Sequence, residues 1–408
     1  MAINIQNLID VVNAKLAAAD SAMSIEELIK LNTLKAEIEA PTNVLSYNSL
    51  NALPSSGSNN TGEIVYVKDD KYDKYGTFYF SNGLEWTRLN LTNDSDEDQI
   101  DRFNIYGPGY PGNQYGYATG GVSPSLTPPL VVEYGGIQRF SFASDGNASS
   151  VGSLNLARYG HSAQMNKTYG YSSDGSSPSQ PVIRQGNIEK FQFFNETSIT
   201  NVGSMATVHQ DGSSQSSATD GYSTGGTPSP QDVIQKFPFA TDTNAYEVAN
   251  LSTAPPSVVH NDGTGCSAHA WGNGYALGSS PAYPAYNWKF PFANETANTI
   301  FGALNANTGN SITGISGWVN GYVAGGSTGT TTLIQKFPFA ADTNASDVAN
   351  LSINEYDGAG HSSTTYAYVS GGNPVRNQIQ KWPFVSDVNA TDVGDLLGNT
   401  ANHGGLHV

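Results

Sequence analysis

The chain has 408 residues and a net charge of −17, with 35 acidic side chains against 18 Lys and Arg. This charge argues against nucleic acid as a main partner, because binding to phosphates needs clustered basic side chains. The 44 Gly and 22 Tyr, combined with only 13% charged residues, favour short strands joined by tight turns over long helices.

Two amphipathic helices are predicted in residues 1–41. Ser24 and Glu27 form a capping box that opens the second helix, and Pro41 ends it. Helices this short bury too little surface to be stable alone. They either pack on each other as a hairpin or, as we prefer, form an oligomerisation or docking segment. Their apolar faces consist of Ile5, Leu8, Ile9, Val12 and Leu16 in the first helix and Leu28, Leu31, Leu34 and Ile38 in the second.

A small β module is predicted in residues 42–92. Residues 63–67 have the composition of a strand, and residues 77–80 and 84–89 are predicted to form a hairpin around the Asn82-Gly83 turn. An acidic linker is predicted in residues 93–104, where Asn93-Asp-Ser-Asp-Glu-Asp98 interrupts the apolar pattern.

Residues 105–408 contain six imperfect repeats. The segment IQKFPFA occurs at 234–240 and again at 334–340, and related segments begin at residues 137, 188, 287 and 379. A motif of the type Gly-Tyr-x-x-Gly-Gly precedes each segment, and a polar turn follows, which is Asp-x-Asn in four copies. The tyrosines of this motif lie 54, 51, 53, 47 and 46 residues apart and are Tyr117, Tyr171, Tyr222, Tyr275, Tyr322 and Tyr368.

Four β-type segments in a unit of about 50 residues predict one blade of a β-propeller, and six such units predict a mainly β, six-bladed ring. The C-terminal segment around His403 is predicted to supply the first strand of blade one and so close the ring; the competing segment is 103–110. Phe237 and Phe239 are expected to fill the space between blades, with Gln235 and Lys236 nearer solvent or a strand end. Pro238 cannot donate a ladder hydrogen bond, which predicts a strand near the outer edge of the blade.

The repeats offer few residues with the pattern of a reactive centre. Imidazoles recur near the blade starts, where a ring could bind a transition metal, but repetition of a hydrogen-bonding residue explains them better. The Asp-x-Asn turns are predicted to be Asx-type turns rather than Ca²⁺ sites. Cys266 is the single cysteine, so no internal disulfide forms. We therefore predict no catalytic residue, no cofactor and no metal ligand, although the histidines weighed for metal binding are His161, His209, His260, His361 and His403.

Glycan binding stays open, because sugars stack on aromatic rings next to amide and carboxylate groups. The alternative is that these rings pack loops onto the propeller. The candidate residues lie in Gly- and Pro-rich stretches and are Tyr106, Tyr110, Tyr115, Tyr283 and Tyr286.

The repeat resembles kelch-type propeller repeats in its Arg158–Ala163 start, its Gly116–Gly121 strand and its Phe237–Phe239 strand. It departs from them where Val or Ile stands in place of the Trp that follows the polar turn. The related chromosome-condensation-regulator type of propeller is the alternative. Neither resemblance implies one function, because propellers host many.

The order of helices, hairpin and Gly/Tyr/Asn-rich repeats resembles bacteriophage tail-fibre and other virion structural proteins, notably those of cyanobacterial phages. This resemblance implies a non-enzymatic tail-fibre, spike or decoration component that is assembled in a host cytoplasm and resides in the virion. It also implies attachment to other virion proteins through the N-terminal helices, a homo-oligomer with a trimer preferred, contact with host surface glycans, and neither nucleic-acid binding nor membrane insertion. The alternatives are a carbohydrate-active enzyme on a propeller and an intracellular kelch-like adaptor.

Overall fold

The computed structural model divides the chain into two compact units, Met1–Ile105 and Tyr106–Val408. In the first unit it describes four strands. In the second it describes residues 112, 114–124, 131–133, 135–177, 182–252, 260, 264–268, 272–278, 286–304, 311–317, 319–328, 332–374 and 376–408. The predicted N-terminal helices, with their nine apolar residues, and the predicted acidic linker lie outside the described residues.

The first unit contains one four-stranded sheet in the order β1-β2-β3-β4. β1 runs parallel to β2, whereas β2, β3 and β4 form an antiparallel meander. The hairpin expected from the Asn-Gly turn is therefore present as β3 and β4. The strands are β1 (Leu45–Ser49), β2 (Ile64–Asp69), β3 (Thr77–Ser81) and β4 (Trp86–Leu89).

The described part of the second unit forms six four-stranded antiparallel sheets, which are the six blades of a β-propeller. Two additional two-stranded hairpins extend blades one and two: β6 (Val122–Pro124) with β7 (Val131–Glu133), and β12 (Ser176–Ser177) with β13 (Ile183–Arg184).

Within each blade the strands lie side by side from the axis outward. The innermost strands of blades two to six are β10 (Ser162–Met165), β16 (Ser213–Ser216), β20 (Thr264–Ala268), β24 (Thr313–Ser316) and β28 (Ala359–Ser362). The second strands of blades one to six are β5 (Tyr115–Thr119), β11 (Tyr169–Ser173), β17 (Asp220–Thr224), β21 (Asn273–Leu277), β25 (Asn320–Ala324) and β29 (Tyr366–Ser370).

The third strands carry the IQKFPFA-like segments. They are β8 (Gly136–Ser141), β14 (Asn187–Gln192), β18 (Val233–Pro238), β22 (Tyr286–Pro291), β26 (Leu333–Pro338) and β30 (Gln378–Pro383). The outermost strands are β9 (Ser149–Ser153), β15 (Asn195–Ser204), β19 (Tyr246–Asn250), β23 (Thr299–Ala303), β27 (Ser346–Asn350) and β31 (Thr391–Asp395).

The last strand of the chain closes the ring. β32 (Gly404–His407) pairs antiparallel with β5 and becomes the innermost strand of blade one. Leu406 of this strand is fully buried, and Val408 exchanges backbone hydrogen bonds with Tyr115 at 2.9 and 3.0 Å. The predicted closure is therefore confirmed, and both ends of the repeat region are tied into one sheet.

Aromatic side chains fill the space between blades, as predicted from their two-residue period. Each tyrosine of the Gly-Tyr motif is at most 2% exposed and packs on two aromatic rings of the next blade. The distance from the tyrosine ring centroid to the nearer of those two rings is 4.7–5.3 Å at all six junctions. The glycine before the tyrosine leaves room for a ring of its own blade: a Cβ built on Gly321 would lie 2.2 Å from Cζ of Phe337.

One expectation for the third strand needs correction. Gln235 does not face solvent but is fully buried, because the two-residue period places it on the same face as Phe237. Its amide accepts a hydrogen bond from the Thr207 N–H at 2.9 Å and donates one to the Thr207 carbonyl at 2.7 Å. Pro238 lies on the third of the four strands, next to the outermost one, in agreement with the prediction of a strand near the outer edge. Its missing N–H is tolerated because β19 pairs only as far as Lys236.

Within the described residues, none of the helices combines the length and the apolar character needed to cross a membrane.

Candidate functional site

The polar turn of the repeat joins each blade to the preceding one. In all four Asp-x-Asn turns the Asp forms an ion pair with the basic residue on the third strand of the preceding blade, for example Asp387 with Lys336 at 2.7 Å. Two junctions use a Glu instead, so every junction of the described ring has such a pair. We call these six pairs the junction ion pairs. They are Arg139–Glu196, Lys190–Asp242, Lys236–Glu295, Lys289–Asp342, Lys336–Asp387 and Lys381–Asp145, with N···O distances of 2.5–2.8 Å.

The Asn of the same turn also binds across the junction. Asn344 Oδ1 accepts the backbone N–H of Ala303 at 2.9 Å, at the end of the outermost strand of the preceding blade. Asn147, Asn244 and Asn389 make the equivalent bond at 3.0–3.1 Å. The Asp-x-Asn turn is therefore a connector between blades, and its carboxylate and amide oxygens already have partners within the ring.

The axis of the ring contains a cavity of about 170 Å³ lined by the six innermost strands. Small residues surround its waist: Ala163, Ser214, Gly265, Gly314, Gly360 and Gly405. The innermost strands approach so closely that a Cβ on Gly360 would lie 2.1 Å from the Gly314 carbonyl oxygen. A cavity of this volume holds several water molecules or a small ion. It is smaller than the about 300–1,000 Å³ typical of organic-ligand pockets.

Among the described residues, a belt of backbone hydrogen bonds links five of the six blades at one mouth of this cavity. Asp211 donates its N–H to Gly160 at 2.8 Å, Gly160 to Asn402 at 2.9 Å, Asn402 to Asp357 at 2.9 Å, and Asp357 to Ser311 at 2.9 Å. All five residues have left-handed φ values of 52–58°. Because these five residues share this unusual conformation, their peptide groups point along the belt and link neighbouring blades.

Two carboxylates line the cavity at this mouth, from blades three and six, which lie opposite each other in the ring. Asp211 Oδ2 accepts a hydrogen bond from Gln210 Nε2 at 2.8 Å, and Asp357 Oδ2 accepts one from Asn373 Nδ2 at 3.0 Å. These carboxylates are the acidic groups to consider for any chemistry on the axis.

The histidines that recur in the sequence do not form one ring. His209 precedes the belt residue Asp211 by two positions, His161 and His403 follow their belt residues directly, and His361 follows Asp357 by four. The recurring imidazoles therefore occupy different positions of the repeat. Among the described residues no three His, Cys, Asp or Glu side chains are placed to share a metal ion.

All five imidazoles are buried, with exposed fractions of 0–7%. We call His161, His260, His361 and His403, which lie between blades, the buried histidines. His361 lies 3.0 Å by Nδ1 from the Leu406 carbonyl and 2.8 Å by Nε2 from Ser370 Oγ, which in turn lies 3.0 Å from His403 Nε2. Burial lowers the pKa of His260 and His361 to about 4 and that of His161 and His403 to about 3. The buried histidines are therefore neutral hydrogen-bonding groups at neutral pH.

Arg158 of the kelch-like start has a structural role in blade two. Its guanidinium is fully buried and donates to the carbonyls of Asp174 at 3.0 Å and Asn187 at 2.9 Å. The Asp174 carboxylate accepts hydrogen bonds from the His209 N–H at 3.1 Å and from Ser223 Oγ at 2.7 Å. Burial nevertheless raises the Asp174 pKa to about 7. These contacts organise the loops at the junction of blades two and three.

Cys266 is also buried in a core, packed with Tyr275 and Phe337 between blades four and five. Its Sγ lies 3.4 Å from the Ile315 carbonyl oxygen, and burial raises its pKa to about 12. A thiol held protonated in this way is a poor nucleophile.

Of the five tyrosines predicted to contact glycans, Tyr115 and Tyr286 are described, whereas Tyr106, Tyr110 and Tyr283 lie outside the described residues. Both described rings are partly exposed. Tyr115 begins a second strand and Tyr286 begins a third strand, and these strands run antiparallel, so the two rings lie at opposite faces of the propeller. The structure therefore does not bring them into one site.

Sequence reasoning did not single out Phe194, an aromatic residue beside Tyr115. The ring centroids of these two residues lie 5.9 Å apart in an edge-to-face arrangement, and Phe194 is 54% exposed. The signal was present in the repeat: the equivalent positions of the other five copies are Ala143, Ala240, Ala293, Ala340 and Val385.

No family model matches the chain, and no curated protein matches it at a significant level.

Proposed function

We propose that the protein is a non-enzymatic structural component of a bacteriophage virion that displays a six-bladed propeller and contacts host surface glycans. One observation carries the proposal: the repeated ionisable residues join the blades to one another. The junction ion pairs occur at every junction of the described ring, and the buried histidines lie between blades. A repeat that uses its polar groups in this way suits a rigid display scaffold better than a reactive centre.

The order of segments along the chain supports the same function. The predicted amphipathic helices precede the β module and the ring, so they are suited to attachment or trimerisation while the ring is displayed. The chain's net charge of −17 favours a component that stays apart from packaged nucleic acid.

The carbohydrate-active enzyme is the second candidate because Asp211 and Asp357 line the axial cavity. The cavity of about 170 Å³ is too small to enclose a polysaccharide, so a polysaccharide would have to reach these carboxylates from outside the cavity. Release of reducing ends from neutral polysaccharides by the wild-type chain, abolished in an Asp211→Asn/Asp357→Asn variant, would favour the enzyme.

The test of the structural function is whether the protein belongs to particles. Phage particles from a producing culture would be purified on a density gradient, washed in high salt and digested for mass spectrometry. We expect propeller peptides in the particle band at a constant ratio to the major capsid protein, with a copy number divisible by three. Recovery of the protein only in the soluble fraction would contradict the proposal.

A further inference from the structure

The turn of blade two presents an aromatic ring that the propeller does not need for its own packing. In the other five blades the position of Phe194 is occupied by Ala or Val, and it is exposed in every copy. Four alanines at this position show that the blades pack around the propeller with only a methyl group there. Phe194 is instead 54% exposed.

The backbone of Phe194 is strained as well. Its φ is 66°, in the left-handed region that bulky residues rarely adopt, whereas none of the five equivalent residues has a positive φ. β14 and β15 pair directly up to Gln192 and Asn195, which leaves Phe193 and Phe194 as a two-residue turn. Strain retained at an exposed aromatic residue is typical of a position selected for binding rather than for stability.

Tyr115 contacts the Phe194 ring, and further polar groups of blades one and two lie next to Tyr115. Tyr115 of blade one meets Phe194 edge-to-face, and the Arg139 guanidinium lies 4.5 Å from the Tyr115 ring centroid. Arg139 Nη1 is 2.7 Å from Glu196 Oε1, and the partly exposed guanidinium has further N–H groups in its planar fork. The exposed Gln114 precedes Tyr115 in the chain and adds an amide. We call Gln114, Tyr115, Arg139, Phe194 and Glu196 the blade-two aromatic patch.

We propose that the blade-two aromatic patch binds a neutral pyranose saccharide, with Phe194 stacking on its apolar C–H face. The Arg139 guanidinium, the Tyr115 hydroxyl and the Gln114 amide supply donors and acceptors for equatorial hydroxyls, while the buried Glu196 carboxylate holds the guanidinium in place. The ligand is neutral because Glu196 compensates the Arg139 charge, and because a chain of net charge −17 repels acidic glycans. The inference names the site of the glycan contact in the proposed function and rests on that function only for its biological setting.

The experiment uses the full chain on an array of immobilised neutral oligosaccharides of glucose, galactose and mannose, with the dissociation constant of each hit then measured in solution. We expect at least one such saccharide to bind. Phe194→Ala, which installs the residue found in four other blades, should weaken binding at least about tenfold, with an unchanged melting temperature. Val385→Ala, at the equivalent exposed position of blade six, is the matched control and should bind as the wild type does.

Three results would overturn the inference: no neutral saccharide on the array binds, Phe194→Ala binds within about twofold of the wild type, or Val385→Ala loses as much affinity as Phe194→Ala. If Phe194→Ala does not fold, Phe194→Gly replaces it, because glycine adopts a φ of 66° without strain. Binding that depends on Phe194 in a protein absent from particles would refute the virion function alone. A particle-borne protein that binds no saccharide would refute this site alone.

Discussion

Replacing Gly321 by alanine adds a methyl group where an aromatic ring has no room to move. A Cβ at this position would lie 2.2 Å from Phe337 Cζ and 2.6 Å from Cε1. Ordinary carbon–carbon contact begins at about 3.5 Å, so the ring would have to retreat by roughly 1.3 Å. Phe337 is fully buried, with the rings of Tyr275 and Phe301 at centroid distances of 5.6 and 5.5 Å. The displacement would therefore spread into the junction of blades four and five.

The expected free-energy change combines two opposing effects. Overpacking of a dense core costs about 1–3 kcal/mol. Replacing glycine by alanine also restricts the unfolded chain, which stabilises the folded state by about 0.4–1 kcal/mol. We expect Gly321→Ala to lower the free energy of unfolding by about 1–2 kcal/mol and, for a unit of this size, the melting temperature by roughly 2–3 °C.

Differential scanning calorimetry of the full chain measures this effect against a matched control. Gly136→Ala adds the same methyl group at a strand position where no atom lies within 4 Å, and it should leave the melting temperature unchanged or slightly higher. Gly321→Ala should cost less in a Phe337→Leu background than in the wild type, because leucine shortens the opposing side chain. A melting temperature of Gly321→Ala at or above the wild-type value would refute the packing argument.

Four further predictions concern the ring and its attachment. In double-mutant cycles, Lys236 and Glu295, whose side chains are 16% and 11% exposed, should have a coupling energy of about 1–2 kcal/mol. The more exposed Lys336 and Asp387 should have a coupling energy below about 1 kcal/mol. Equal coupling energies would show that burial does not determine the strength of the junction ion pairs. A chain lacking β32 should lose its near-UV circular dichroism and elute as aggregates, because β5 is left unpaired and the core loses Leu406; a monodisperse product with native dichroism would disprove closure by this strand. The buried histidines have folded pKa values below the unfolded value of about 6.5, so their stabilisation is complete above that pH and is lost as pH falls towards 4, by at most about 1.4 kcal/mol per pH unit each. Buried Asp174 and Glu355, whose pKa values are raised, oppose this trend. We expect a net fall in melting temperature between pH 7 and pH 5, and an unchanged or rising melting temperature would contradict this expectation. Light scattering should find the full chain trimeric and a chain without residues 1–41 monomeric, whereas two monomers would exclude self-assembly through the predicted helices.

The repeat made the ring predictable. Each blade repeats the same Gly-Tyr motif and the same pair of aromatic residues. The number of strands, the aromatic residues between blades and the closing strand could therefore be predicted from the repeat. The contacts between blades were harder to predict, because the partners lie about one repeat apart in sequence. Lys190 and Asp242 are 52 residues apart, and Lys336 and Asp387 are 51 apart. The sequence therefore shows each residue as part of a motif but does not show that the two residues pair.

Single departures from the repeat were the main source of error. The histidine segments look alike, yet His209 lies two positions before its belt residue and His361 lies four positions after its own, so the shared residue type does not mark one structural position. Gln235 looked like a solvent-facing residue by its polarity, although period two places it with Phe237. Phe194 could not be predicted from the motifs that the copies share, because the candidate glycan site depends on the one copy that differs at this position.

Immunolabelling of intact particles distinguishes a propeller displayed on the outside of the virion from one inside it or absent from it. Gold-labelled Fab fragments raised against the propeller would be added to purified particles and imaged by electron microscopy, with detergent-opened particles in parallel. A displayed ring predicts label at one defined location on the outside of intact particles, blocked by prior addition of the purified full chain. Label on opened particles alone, or on none, would contradict a displayed propeller.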